Sequence, residues 1–221
     1  MDEPMKNYLI IIVLVLTSGV SAQVSFNAGG SLLKGFGAPE WFTGFHAGVE
    51  IPRDDALSFY GRVTHHFQKK ANDPIDFYAT AIDFSTSPNI LLVQGLPSMN
   101  FTIIEGGSRF YLGDGFDFGF AAYGGTNFML VLNKVKVTYD DFDDQLYAIS
   151  DLDRVDGKIF GLGAGLAGGV KYSVPRLGTF YFDLSVSYMF LAQGSQQNVY
   201  SDLYSSLLFN MALGYRYDIV W

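Results

Sequence analysis

Residues 179–190 read TFYFDLSVSYMF, the most regular alternation of apolar and polar residues in the chain. One side chain in two is apolar, and these are Phe180, Phe182, Leu184, Val186, Tyr188 and Phe190. A period of two residues indicates a β-strand, because successive side chains of a strand point to opposite faces of its sheet. The segment is also long enough to cross a bilayer, for which about 9–11 tilted residues suffice.

The same alternation recurs in seven further segments: 23–32, 41–51, 57–68, 101–112, 118–127, 158–172 and 207–218. The connections after the second, fourth and sixth of the eight segments are turns of a few residues. Those after the third, fifth and seventh are long, at 69–100, 131–157 and 191–204. Outer-membrane barrels have short turns at the periplasmic end and long loops at the exterior end, whereas a soluble sandwich has no reason for that segregation. The sequence predicts an all-β fold, a transmembrane antiparallel up-and-down β-barrel of about eight strands.

Composition narrows the possible functions. The 221 residues suffice for one domain, and the absence of cysteine excludes disulfides, thiolate metal sites and cysteine nucleophiles. A net charge of −8 argues against nucleic acid as a partner, since phosphate binding depends on clustered lysine and arginine.

The N-terminus has the pattern of an export signal. An apolar run at residues 8–16 is followed by Val20, Ser21 and Ala22, the small residues that a signal peptidase requires. We expect cleavage after Ala22, leaving residues 23–221 as the barrel domain; translation from Met1 or from Met5 stays open. The alternative is a membrane anchor, but the run is shorter than the ~20 residues of a spanning helix.

Three stretches give the chain a resemblance to a known group. They are the signal ending at residues 20–23, the segment 104–113 (IEGGSRFYLG), and the final alternation Leu213–Tyr217 that leads to Trp221. In these the chain resembles the small outer-membrane β-barrel proteins of Bacteroidota, which include PorT-like and OmpX-like or OmpW-like barrels. The resemblance implies a bacterial outer-membrane location, with membrane lipids and lipopolysaccharide as neighbours. Members of such families have structural, adhesive or secretion-associated roles.

Strand parity predicts which charges point into the lumen: Glu50, Arg62, Glu105, Arg109, Asp183 and Arg216. Counted from the short-turn end, their heights suggest two ion-paired clusters, one of Arg62, Glu105 and Arg109 and one of Asp183 and Arg216. Because an eight-stranded barrel is about wide enough to be filled by side chains, we expect a packed polar plug. A conducting or gated path is the alternative.

The three histidines are the natural candidates for catalysis or metal binding. Parity places His65 towards lipid and His66 towards the lumen, and no local spacing supplies the serine and carboxylate that a hydrolase needs. A metal held by His46 and His66 would lack a convincing third ligand. We therefore predict no catalytic residue, no cofactor and no metal site.

Two of the long connections have distinctive compositions. The connection 131–157 is acidic, which suits a solvated exterior loop or, as an open alternative, a calcium site; its carboxylates are Asp140, Asp141, Asp143, Asp144, Asp151, Asp153 and Asp156. The connection 69–100 is apolar, so it either folds over the barrel mouth or contacts another protein. Its candidate contact residues are Phe77, Tyr78, Phe84, Leu91 and Leu92.

These observations favour a non-enzymatic structural or accessory subunit of the outer membrane. Its exterior loops would contact partner proteins, for example in a secretion or surface-assembly complex. The alternative is a narrow pore or a small-ligand-binding barrel that uses the charged lumen.

Overall fold

The computed structural model describes residues 23–83, 85–149, 157–193 and 203–219. Ten strands form one antiparallel sheet. They are β1 (Val24–Gly35), β2 (Trp41–Pro52), β3 (Leu57–Lys70), β4 (Ile75–Ala81), β5 (Ile90–Gly113), β6 (Gly119–Tyr139), β7 (Tyr147–Ile149), β8 (Gly157–Val174), β9 (Gly178–Gln193) and β10 (Leu207–Ile219). In the described parts of the chain no helix is long and apolar enough to span a membrane.

Eight of the strands form a closed ring. Each of β1, β2, β3, β5, β6, β8, β9 and β10 pairs antiparallel with its two neighbours, and the pairing of β3 with β5 closes the ring. The predicted up-and-down barrel of eight strands is confirmed. The predicted export signal, residues 1–22, lies outside the described residues.

The structure corrects the prediction for two of the long connections. Much of 69–100 and of 131–157 is strand, because β5 has 24 residues and β6 has 21. The half of β5 nearer the C-terminus pairs with β3, while its first residues pair with β4, and β4 pairs in turn with β7. The sheet thus continues beyond the exterior end of the ring as a small projection of β4, β7 and the outer ends of β5 and β6, which we call the exterior lobe. Both faces of this region carry apolar residues, so its sequence does not show the apolar–polar alternation that is typical of the ring strands.

The outer wall of the ring is apolar. On β6 the outward residues between Phe120 and Leu132 include Phe128, which is 68% exposed, and this stretch rises roughly 30 Å for tilted strands. Exposed aromatic side chains border the wall near both ends, among them Trp41, Phe45, Phe67, Phe110, Tyr172 and Tyr217. A closed single-chain barrel with an apolar band and aromatic borders is the architecture of bacterial outer-membrane proteins. The chain is an integral outer-membrane β-barrel protein.

Candidate functional site

The six charged residues predicted to face the lumen are all buried and lie in one cluster in the half of the lumen nearer the short turns, which we call the lumen charge cluster. Arg62 pairs with Glu105 and, at 2.7 Å from its Nη1, with Asp183 Oδ2. Arg109 donates to Asp183 Oδ2 and to Glu50 Oε2, both at 2.7 Å. Arg216 Nη1 lies 3.8 Å from the same Glu50 oxygen.

The expectation of two separate clusters was therefore wrong. Asp183, on β9, projects across the lumen to the opposite wall, where β3 and β5 carry Arg62 and Arg109. Glu50 in turn joins Arg109 to Arg216. Counting height along single strands could not reveal this, because the contacts run across the barrel interior.

Tyrosine rings complete the cluster, and the sequence analysis did not identify them. The Arg109 guanidinium carbon lies 4.4 Å from the ring centre of Tyr60 and 5.0 Å from that of Tyr123. A Cβ at Gly169 would collide with the ring of Tyr123, so the inward glycines of β8 leave space for tyrosine. The apolar–polar alternation could have identified them, since Tyr60 and Tyr123 both occupy inward positions.

The short-turn end of the lumen is closed by Phe116, whose side chain is 1% exposed. The Arg216 guanidinium carbon lies 3.6 Å from the centre of its ring, and Arg216 Nη2 donates to the Phe116 carbonyl oxygen at 2.8 Å. The turn between β5 and β6 thus folds into the barrel instead of pointing away from it.

The exterior half of the lumen is filled mainly by apolar side chains, which departs from the predicted polar plug. Phe42 and Phe101 meet edge to face with ring centres 4.8 Å apart. The side chains packed with them form the upper apolar layer: Leu33, Met99, Ile103, Met129, Val131, Ile159, Met189, Leu203 and Leu208. Leu203 reaches this layer from the connection before β10, much of which, residues 194–202, lies outside the described residues. Side chains therefore fill the lumen at both levels.

The structure brings a serine to a histidine, a pair that sequence spacing could not show. His66 Nε2 lies 3.0 Å from Ser31 Oγ, and this hydroxyl donates to Asn210 Oδ1 at 2.7 Å. The serine proton is thus directed away from His66, whose Nε2 donates to the hydroxyl, and His66 Nδ1 has no hydrogen-bond partner among the described residues. A hydrolase needs the opposite arrangement, with a carboxylate at Nδ1 and the serine donating to the ring.

No group of three metal-ligating side chains converges within the described parts of the chain. His46 Nε2 instead pairs with the Tyr181 hydroxyl at 2.6 Å. Of the acidic connection, Asp140, Asp141, Asp143 and Asp144 are exposed, and the Asp143 carboxylate accepts a hydrogen bond from the Gln145 backbone N–H. Asp151, Asp153 and Asp156 lie outside the described residues.

The candidate contact residues of the apolar connection divide between the two faces of the exterior lobe. Phe77 is 5% exposed and packs into the upper apolar layer, and Leu91 is half-buried against a small core of Ala79, Val93, Tyr147 and Ile149. Tyr78 and Leu92 lie directly opposite each other across β4 and β5, at 61% and 53% exposure. Phe84 lies outside the described residues.

Ile82 and Ile90, both 60% exposed, extend the exposed surface of Tyr78 and Leu92, and these four residues are called the lobe apolar face. The exposed carboxylate of Asp83 lies beside it at the tip of the lobe. Hydrogen bonds from Ser85 to the Asp83 carboxylate hold the pKa of this group below its ordinary value. The lobe therefore presents an exposed apolar face with a carboxylate beside it, and exposed apolar patches are common at protein contact sites.

No protein-family model matches the chain, and no curated protein sequence matches it. Among solved structures it is similar to Neisserial surface protein A, with 14% identity, a TM-score of 0.48 and coverage of 89% of this chain and 96% of the other. A major outer membrane protein of Thermus thermophilus gives 15% identity, a TM-score of 0.47 and coverage of 90% and 100%. The outer membrane protein OprG of Pseudomonas aeruginosa has 12% identity and a TM-score of 0.43, and the match covers 89% of this chain and 96% of OprG.

Proposed function

We propose that this protein is a non-enzymatic accessory subunit of the outer membrane whose exterior lobe binds a partner protein, within a secretion or surface-assembly complex. The observation that carries the proposal is the lobe apolar face, where four large side chains are exposed on a sheet that is continuous with the barrel. Export by a cleaved signal at residues 1–22 belongs to the same proposal.

The filled lumen supports this assignment indirectly. A barrel that binds a small ligand or conducts ions needs space inside it, whereas the lumen charge cluster and the upper apolar layer occupy both halves of this one. The exterior lobe is the part of the described structure that presents a large apolar surface to the outside of the cell. Exposed apolar surface of this kind in a stable protein is ordinarily covered by a partner.

Site-specific photocrosslinking in intact cells tests the proposal. A photoreactive residue at Tyr78 or at Leu92 should give one adduct of defined mass, since both point outward from the lobe. The same residue at Phe77, which is buried one position before Tyr78, is the matched control and should give none. Recovery of a lone monomer from native membranes in mild detergent, together with no adduct at either exposed position, would refute the accessory role.

The substitution pair Tyr78→Ser and Leu92→Ser separates binding from folding. Both side chains are more than half exposed, so the barrel should fold normally and keep its heat-modifiable gel migration. Loss of the adduct with normal migration is the expected result. Undiminished complex formation by this double variant would contradict a role for the lobe apolar face.

A further inference from the structure

A group of lysines lies at the exterior border of the outer wall. Lys134 on β6 stands directly opposite Lys158 on β8, and Lys136 follows two residues along β6 on the same face. All three side chains are exposed and point outward, as the burial of the intervening Asn133 and Val135 shows. We call them the rim lysines.

Two like charges directly opposite each other on neighbouring strands destabilise a sheet. In β5, β6, β8 and β9, which carry and flank the rim lysines, the carboxylates are Glu105 and Asp183, and both point into the lumen. No described carboxylate lies within ion-pair distance of any rim lysine. Within the described residues, the three ammonium groups are therefore available to an anion at the outer surface of the barrel.

Two other lysines at the same end of the barrel, Lys69 and Lys34, have partners within the chain. Lys69 pairs with Glu40 at 3.1 Å, and the Lys34 ammonium lies 5.2 Å from the ring centre of Trp41. Lys34 is on β1, on the far side of the ring from β6. The rim lysines differ from these two because their strands supply cations alone at this level.

The residues just below the rim lysines indicate which kind of anionic ligand would fit at this position. Leu132 and Phe160 pair across β6 and β8 one outward position lower, at 41% and 39% exposure, and Phe128 continues the apolar wall at 68%. The lysines thus lie where the apolar band ends, at the level of the outer-leaflet headgroups. A ligand that satisfies both parts carries anionic groups, such as phosphates, above acyl chains.

We propose that Lys134, Lys136 and Lys158 bind the phosphate groups of a phosphorylated glycolipid of the outer leaflet, whose acyl chains pack on Phe128, Leu132 and Phe160. The site depends on the outer-membrane location but not on the proposed partner of the exterior lobe. A protein ligand is disfavoured because the apolar side chains below the lysines face the membrane. The backbone beneath is firmly held, since Lys134 N–H also donates to Asn100 Oδ1 at 3.0 Å.

The test uses the full-length mature barrel refolded in zwitterionic detergent. Binding of bisphosphorylated lipid A, monophosphorylated lipid A and a dephosphorylated form is measured by native mass spectrometry, with inorganic phosphate at matched phosphate concentration as a separate arm. We expect affinity to fall in that order and phosphate alone to bind much more weakly. Equal binding of the dephosphorylated lipid would overturn the proposal, and so would inorganic phosphate binding as tightly as the lipid.

The double variant Lys134→Gln and Lys158→Gln should lose at least about fivefold in affinity for bisphosphorylated lipid A per lysine removed. Arg53→Gln with Arg176→Gln is the matched control, because it removes the same charge from exposed turns at the opposite end of the barrel. The control should bind as the natural protein does, and equal losses in the two double variants would show nonspecific attraction and overturn the site. Heat-modifiable migration verifies that each variant has folded.

Discussion

At the scale of single residues, Asp183 is the carboxylate on which the lumen charge cluster depends. It accepts hydrogen bonds from Arg62, Arg109 and Tyr123 while 3% exposed. Replacing it with asparagine removes the charge that two buried guanidinium groups share. Since loss of one partner of a buried ion pair leaves an uncompensated charge, Asp183→Asn should lower the free energy of unfolding by about 3–5 kcal/mol. Urea-induced unfolding in detergent or lipid vesicles measures the loss.

Asp140→Asn is the matched control, because Asp140 is exposed outside the ring and its replacement should change stability little. Arg62→Gln should cost less stability when added to Asp183→Asn than it costs alone, since the Arg62–Asp183 pair is then already lost. Strictly additive losses in that double-mutant cycle would contradict the shared ion pair.

Asn133 is a second residue with a measurable energetic consequence. It is 2% exposed at an inward position of the upper apolar layer, and neither amide atom has a hydrogen-bond partner among the described residues. An unsatisfied buried polar group costs about 1–3 kcal/mol, so Asn133→Leu should raise the free energy of unfolding by about that amount. The same urea titration applies.

Asn127→Leu offers a direct comparison on the same strand. Asn127 is also buried and inward, but its amide donates to Glu105 Oε2 at 3.1 Å and contacts Ser187. The same substitution should therefore destabilise the barrel there. If both leucine variants moved stability in the same direction, hydrogen bonding would not explain the difference.

At the scale of elements, the exterior lobe is separable from the ring. The β3–β5 ladder that closes the ring ends at Lys70 and Ser98, and Ala71 N–H donates to the Pro97 carbonyl oxygen at 2.8 Å just beyond it. Replacing residues 73–95 with a short Gly-Ser linker should therefore leave the ring intact. We expect normal heat-modifiable migration and unchanged β content by circular dichroism.

Removing the β3–β5 pairing itself is the contrasting change, and deletion of residues 98–110 should abolish folding because it opens the ring. Failure of the lobe-deleted variant to fold would show that the lobe is part of the folding unit. Phe77 packs against the upper apolar layer and is lost with the lobe, so a modest decrease in stability is expected even when folding succeeds.

The elements also show what the sequence could and could not reveal. Alternation identified all eight ring strands because lipid and lumen demand opposite side chains, and segment 179–190 differs little from β9. It failed for β4 and the outer end of β5, where Tyr78 and Leu92 are exposed while Phe77 and Val93 are buried, so both faces are apolar. Strand parity predicted which charged residues point into the lumen. Contacts across the lumen, such as that of Arg109 with Asp183, depend on how the ring closes and can be seen only in the three-dimensional structure.

At the scale of the whole molecule, the filled lumen determines transport behaviour. The lumen charge cluster contains three arginines and three carboxylates, so it offers no net charge to attract an ion of either sign. Beyond it an ion would meet the upper apolar layer, where Phe42 and Phe101 are each 1% exposed and water has little room. Desolvating an ion against such side chains is costly. In planar bilayers we therefore expect a flat current trace, and a general porin measured under identical conditions is the control. Reproducible conductance steps from this barrel would instead support the pore alternative. They would require both the lumen charge cluster and the upper apolar layer to move.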